Sequence, residues 1–167
     1  MNKRAGFSLI EMVIAVAIVG ILTVGSFPSI LNSIEVRSLD NAARDIVSSL
    51  QQAKWQAVTD KLNHRVRFAS TAGSWTYRIE TENPAGTWTA EPRSLIKTVP
   101  TRFTLGVNLP AGYTVVFLPD GLISGYNSSL NSITLSSSKL GRLSQPNRWT
   151  IRVFASGSFK LTKAAAG

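Results

Sequence analysis

Residues 7 to 27, FSLIEMVIAVAIVGILTVGSF, form an uninterrupted apolar run whose one charged member is Glu11. As an α-helix the run is about 31 Å long, close to the thickness of a bilayer's hydrocarbon core. A helix that is apolar on every side has to be covered, by lipid or by other protein. Lys3 and Arg4 precede it, and positive charge beside a membrane segment tends to stay cytoplasmic, so residues 28–167 are expected on the far side. Two plainer readings compete: a secretory signal peptide removed whole, and a simple signal anchor. The run is long for the apolar part of a signal peptide, and no A-x-A cleavage pattern follows it. Neither reading accounts for Glu11, because a carboxylate in a membrane segment costs up to a few kcal/mol and usually serves a function.

The stretch Lys3-Arg4-Ala5-Gly6-Phe7-Ser8-Leu9-Ile10-Glu11 resembles the class III signal of type IV prepilins and type II secretion pseudopilins. That signal combines a short basic leader, a glycine, a phenylalanine that starts the mature chain and a glutamate as its fifth residue. The resemblance implies a leader of residues 1–6, cut between Gly6 and Phe7 by a prepilin peptidase that also methylates the new amine of Phe7. It implies an assembly role for Glu11. Physically, the Phe7 amine and the Glu11 carboxylate are opposite charges in an apolar medium, where attraction is far stronger than in water. The amine of the same helix and that of a neighbouring subunit are both within reach of such a carboxylate; the family expectation is the neighbour.

Beyond the apolar run, Pro28 removes a backbone donor and Gly20 and Gly25 loosen the preceding turns, so a bent or locally melted helix is expected there. Leu39, Ala43, Ile46, Leu50, Ala53 and Ala57 then recur at alternating steps of four and three, an apolar stripe on a helix. Arg37, Arg44, Asp45, Ser48, Gln51 and Lys54 fall on the opposite face. The pattern predicts one helix over about residues 7–60, with a membrane-spanning part (7–27) and an amphipathic continuation (28–60).

From Arg65 the period changes to two, and 61–167 reads as a β-rich globular domain. Strands are predicted at Arg65 to Phe68, Trp75 to Glu80, Thr87 to Ala90, Leu95 to Val99, Tyr113 to Leu118, Ser132 to Ser136, Trp149 to Phe154 and Phe159 to Thr162. Gly- and Pro-containing turns separate them, and the Ser- and Asn-rich stretch Ser124 to Ser138 is expected to include a mobile loop. No strand–helix–strand alternation occurs. The expected fold class is therefore α+β: a long N-terminal helix packed on an antiparallel sheet. The order of helix, Val66-Arg67-Phe68, Phe117-Leu118-Pro119-Asp120-Gly121 and a closing hairpin from Arg148 to Leu161 resembles the GspH/FimT minor pseudopilins.

The residues offer little to an enzyme. Cysteine is absent and His64 is the one histidine, too few soft ligands for an ordinary zinc site. No phosphate-binding loop occurs, so no cofactor is implied and ATP hydrolysis belongs to a partner. Glu80, Glu82 and Glu91 are expected on a solvated hairpin face rather than around a cation. The strongest asymmetry is charge: the chain has 18 basic and 9 acidic residues, and none of the acidic ones lies beyond Asp120. Alternation would leave Arg148 and Arg152 facing out beside Lys160, a stripe suited to phosphates or to solubility alone. Relatives that bind DNA carry a basic GRxR-like tail, whereas here Ser158 follows Gly157, so nucleic acid is not the favoured partner.

The reading is a structural subunit, not an enzyme. It is expected in the bacterial inner membrane as a single pass, with its domain periplasmic, in a type II secretion pseudopilus. The alternative is a minor type IV pilin of the FimT kind contributing to pilus assembly or DNA uptake. The implied partners are other pilin or pseudopilin subunits, the prepilin peptidase and an inner-membrane assembly platform.

Overall fold

The computed structural model describes residues 8–92, 94–110, 112–143 and 145–165, with the side chains of 21–30 and of residue 165 outside that description. The chain divides into two units, Met1–Glu35 and Val36–Gly167. A single helix, α1 (Leu9–Asp60), supplies the described structure of the first and the opening element of the second. Its helical assignment continues without interruption through Gly20, Gly25 and Pro28, so the local melting expected there does not occur. A proline inside a helix removes one hydrogen bond, and the remaining turns can carry the helix on.

In the second unit the stripe predicted from sequence is the floor of the core: Leu39, Ala43, Ile46, Leu50, Ala53 and Ala57 are all fully buried. Its cover is two antiparallel sheets, where the sequence pointed to one. The first has the order β3 (Trp88–Ala90), β2 (Ser74–Glu82), β1 (His64–Thr71), β6 (Thr114–Phe117), with β4 (Lys97–Thr98) also paired to β2. The second runs β5 (Thr104–Asn108), β7 (Ser132–Ser136), β8 (Pro146–Val153), β9 (Phe159–Ala165). The inward residues of both, among them Val66, Phe68, Ile79, Phe117, Ile133, Leu135, Trp149 and Ile151, join the helix stripe in one apolar cluster.

The two sheets are stitched where β6 ends. Phe117 bridges Ile123, whose amide donates to the carbonyl of Ala155 at 3.0 Å, just beyond β8. Phe117 also meets Phe159 edge-on across the sheets, with ring centres 6.0 Å apart. The segment predicted as a strand from Leu95 to Val99 pairs only at Lys97 and Thr98; Leu95 and Ile96 are exposed and gain nothing from a sheet face. β5 was not anticipated, because Gly106 in its middle weakens the strand signal. A Cβ there would lie 2.6 Å from the Thr134 hydroxyl on β7, which would have to turn away to admit a side chain. The short helix α2 (Ser138–Gly141), capped by Ser137, was likewise unanticipated.

Lys54, placed on the polar face by sequence, instead reaches from α1 to the β8–β9 turn. Its Nζ donates to the carbonyls of Ser156 and Gly157, each at 3.0 Å. Gly157 has φ of 65°, and a Cβ on it would stand 2.3 Å from the Gly121 carbonyl oxygen. Two turns and the helix thus meet where no side chain fits. Gly157→Ala is expected to destabilise the fold by roughly 2 kcal/mol or more, from left-handed strain plus the clash. The measurement is the denaturant midpoint, which should fall at unchanged m-value; an unchanged midpoint would refute the close approach.

Candidate functional site

At the N-terminus, Ser8 begins the described chain, so Gly6 and Phe7 lie outside the described residues. The amides of Glu11 and Met12 both donate to the Ser8 carbonyl, at 3.0 and 3.2 Å, closing the first turn of α1. Glu11 stands in that first turn, where a carboxylate faces the positive end of the helix dipole. Around it Leu9, Ile10, Met12, Val13, Ile14, Val16, Ile18 and Val19 are all more than half exposed. Among the described residues of this unit, none of the large apolar side chains is buried. Among the described residues no helix is long and apolar enough to cross a membrane; the predicted span continues into residues 21–27, whose side chains lie outside the description.

The C-terminal hairpin is as the alternation predicted. Along β8, Trp149, Ile151 and Val153 are buried while Arg148 and Arg152 are exposed. Arg152 pairs directly with Lys160 across to β9, so the two cations are neighbours on one outer face. On the same face, β7 presents Ser132 opposite Arg152 and Ser136 opposite Arg148, and Thr150 pairs with Thr162. The result is a surface of hydroxyl and cationic side chains. Lys163 does not belong to it. It lies on the inner side of β9, with Nζ 2.9 Å from Asp40 Oδ1 and 5.4 Å from the centre of the Trp149 ring.

Asp40 is the node that sequence reading missed: Arg44, one turn on, marks only an ordinary helix-surface pair, and its other partners come from the far end of the chain. Its Oδ1 also accepts from the Trp149 indole Nε1 at 2.8 Å, and its Oδ2 from Arg44 Nε at 2.8 Å. The Arg44 guanidinium above all, and then Lys163 and Trp149, hold the Asp40 carboxyl well below the usual carboxylate range against the opposing effect of burial. One carboxylate on α1 thereby ties both strands of the closing hairpin to the helix.

The acidic residues expected on a solvated hairpin face are dispersed differently. Glu80 is buried: its side chain is 2% exposed and sits between Arg65 and Arg78. Burial alone would raise its pKa, but hydrogen bonds from those two guanidiniums outweigh it and hold the carboxyl low. Glu82 accepts from Asn63 at 2.7 Å, and Glu91 from the Thr81 hydroxyl at 2.6 Å. His64 is fully buried with Nδ1 3.2 Å from that same hydroxyl and Nε2 3.4 Å from Asp60. Burial pushes the imidazole pKa down, so the ring is held neutral inside the sheet, out of reach of a substrate.

Comparison with known proteins gives two family matches. Residues 1–27 match the prokaryotic N-terminal methylation motif, and residues 42–157 match type II transport protein GspH. Two solved structures share the fold. The minor pseudopilin EpsH of the type II secretion system of Vibrio cholerae is 14% identical, over 78% of this chain and 96% of that one, with a TM-score of 0.54. The type IV minor pilin FimU of Pseudomonas aeruginosa is 15% identical, over 77% of this chain and 90% of that one, with a TM-score of 0.52. No curated protein sequence matches the chain.

The Asp40 node predicts acid sensitivity with a definite sign. A carboxyl whose folded pKa is depressed stabilises the fold above its unfolded pKa of about 4, and that stability drains away as pH falls toward the folded value. Glu80 acts in the same direction. The denaturation midpoint of the chain is expected to fall steadily below about pH 5, and Asp40→Asn to be less stable at neutral pH with a flatter acid limb. A variant with the parent's acid limb would show that Asp40 is not the tie.

Proposed function

Because the chain belongs to the GspH family of type II transport proteins, we propose that it is a minor pseudopilin. In this reading it is a structural subunit of a type II secretion pseudopilus, acting in filament assembly and protein export. The observation that carries the reading is the order of two matches in one chain: an N-terminal methylation motif over 1–27, then the GspH domain over 42–157. The mechanism is packing rather than catalysis. A prepilin peptidase removes residues 1–6, and residues 7–27 hold the subunit in the bacterial inner membrane with its domain periplasmic. An assembly platform in that membrane then draws the helix into a filament core.

Support for this comes from α1's exposed apolar side chains, which gain cover only from lipid or from neighbouring helices. Glu11 is the single charge in that surface. Entering an apolar filament core, it gains most from a cation, and the methylated amine of a neighbour's Phe7 supplies one. Glu11→Ala is expected to leave cleavage intact, with intact mass giving a chain that begins at N-methylated Phe7. Incorporation into the filament and secretion should fall sharply at equal abundance. A chain that begins at Met1 would overturn the leader; wild-type secretion by the variant would overturn the role of Glu11.

A second reading, a minor type IV pilin that touches DNA, is favoured by one observation: the outer face of β8 and β9 carries Arg148, Arg152 and Lys160 among hydroxyl side chains. Phosphate contacts release counterions, so log K falls against log salt with a slope near −0.9 per phosphate. If the stripe binds duplex DNA, replacing the three cations together should flatten that slope by roughly 2 to 3, with little dependence on sequence. Absence of a complex at low salt, or a triple variant that binds like the parent, assigns the stripe to solubility or subunit contact.

A further inference from the structure

The outer face of the first sheet holds an arginine cluster for which the subunit reading has no use. β1 and β2 pair with Arg65 opposite Glu80 and Arg67 opposite Arg78. Glu80 Oε2 accepts from Arg65 Nε at 2.6 Å and Oε1 from Arg78 Nε at 2.7 Å. Arg65 in addition lies over the Trp88 ring, 4.2 Å from its centre. Arg67 is different: its Nη1 stands 3.8 Å from Glu80 Oε1, beyond hydrogen-bond reach, and its side chain is 48% exposed. One carboxylate thus faces three guanidiniums, with both oxygens engaged by the other two. Like charges directly opposite each other on paired strands are destabilising, and the fold would be served by Arg65 and Arg78 alone.

Beside Arg67 and Arg78 opens a cavity of about 230 Å³, completed by Ala69, Thr76, Tyr77 and Ile96. Leu95 and Ile96, 82% and 62% exposed, stand on the loop beside it. Arginine combined with apolar bulk is the composition of the centre of a protein interface rather than of free surface. We propose that Arg67 and Arg78 form a site for the carboxylate of a glutamate or aspartate side chain on a neighbouring protein subunit, with that residue's stem against Ile96. The planar guanidinium fork matches a carboxylate through two parallel N–H···O bonds. With 18 basic against 9 acidic residues on this chain, an acidic partner is the complementary one. That the partner belongs to the same filament rests on the pseudopilin reading; recognition of a carboxylate does not.

The test uses the full chain in detergent, with arginine side chains followed by NMR. The probes are a blocked peptide Gly-Leu-Glu-Leu-Gly, its Gly-Leu-Gln-Leu-Gly counterpart, and inorganic phosphate. The glutamate peptide is expected to shift the Nε–H signal of Arg67 and the Nη–H signals of Arg78, whose Nε–H is held by Glu80, saturably, binding about tenfold or more tighter than the glutamine peptide, as a charge-assisted pair should. Arg67→Gln should abolish the shift at Arg78 while the Arg65 signal, set by Glu80, stays in place and reports an intact sheet. Equal binding of the two peptides would overturn the proposal, as would phosphate binding as tightly as the glutamate peptide, or indifference to Arg67→Gln. None of these outcomes bears on cleavage before Phe7 or on Glu11, so failure here is separable from failure of the pseudopilin reading.

Discussion

The domain depends on one surface, the apolar stripe of α1 from Leu39 to Ala57. It is the floor shared by both sheets, whose inner faces join it in one apolar cluster. Burying it is the dominant favourable contribution to folding, since apolar area removed from water is worth about 25 cal/mol per Å². Polar ties then fix the seating. Asp40 holds the closing hairpin near one end of the stripe, through Trp149 and Lys163. Lys54 holds its turn nearer the other, through the carbonyls of Ser156 and Gly157. Hydrophobic burial is non-directional, whereas these charge-assisted contacts specify register.

The same helix carries two kinds of apolar surface. In the second unit alanines and larger apolar residues share one face and polar residues occupy the other, as suits a helix with protein on one side and water on the other. In the first unit the apolar residues from Leu9 to Val19 fall on every side of the helix and are exposed. An amphipathic helix is complete within its own chain. A uniformly apolar one is incomplete, and what completes it is the physical content of the subunit reading.

Much of this was legible in the sequence because periodicity reports which face a residue occupies. The helix stripe and the in–out order of Trp149, Arg152 and their neighbours follow from spacing alone. Periodicity does not report partners. Val66 and Ile133 have the same alternating context, yet they belong to different sheets, and that division depends on which strands meet. Glu80 went astray for the same reason: its burial is made tolerable by Arg65 across the register and Arg78 two residues back. Asp40 acquires its meaning from residues more than a hundred positions later. Gly106 hid β5 because what crowds a side chain there is Thr134 on another strand. The N-terminal methylation motif over residues 1–27, by contrast, was legible as a fixed local pattern.

The tie between Asp40 and Trp149 spans 109 positions of sequence. In chain order the stripe is made first and its last cover, the strand bearing Lys163, is made almost at the end. Contacts of such separation form slowly, because a long loop must close before they reward it. During synthesis the stripe therefore lacks part of its cover until nearly the end of the domain. An anchored N-terminus would keep that sticky helix at a surface and dilute it away from its own copies. Tethering would then serve folding before it serves assembly, as a form of built-in quarantine.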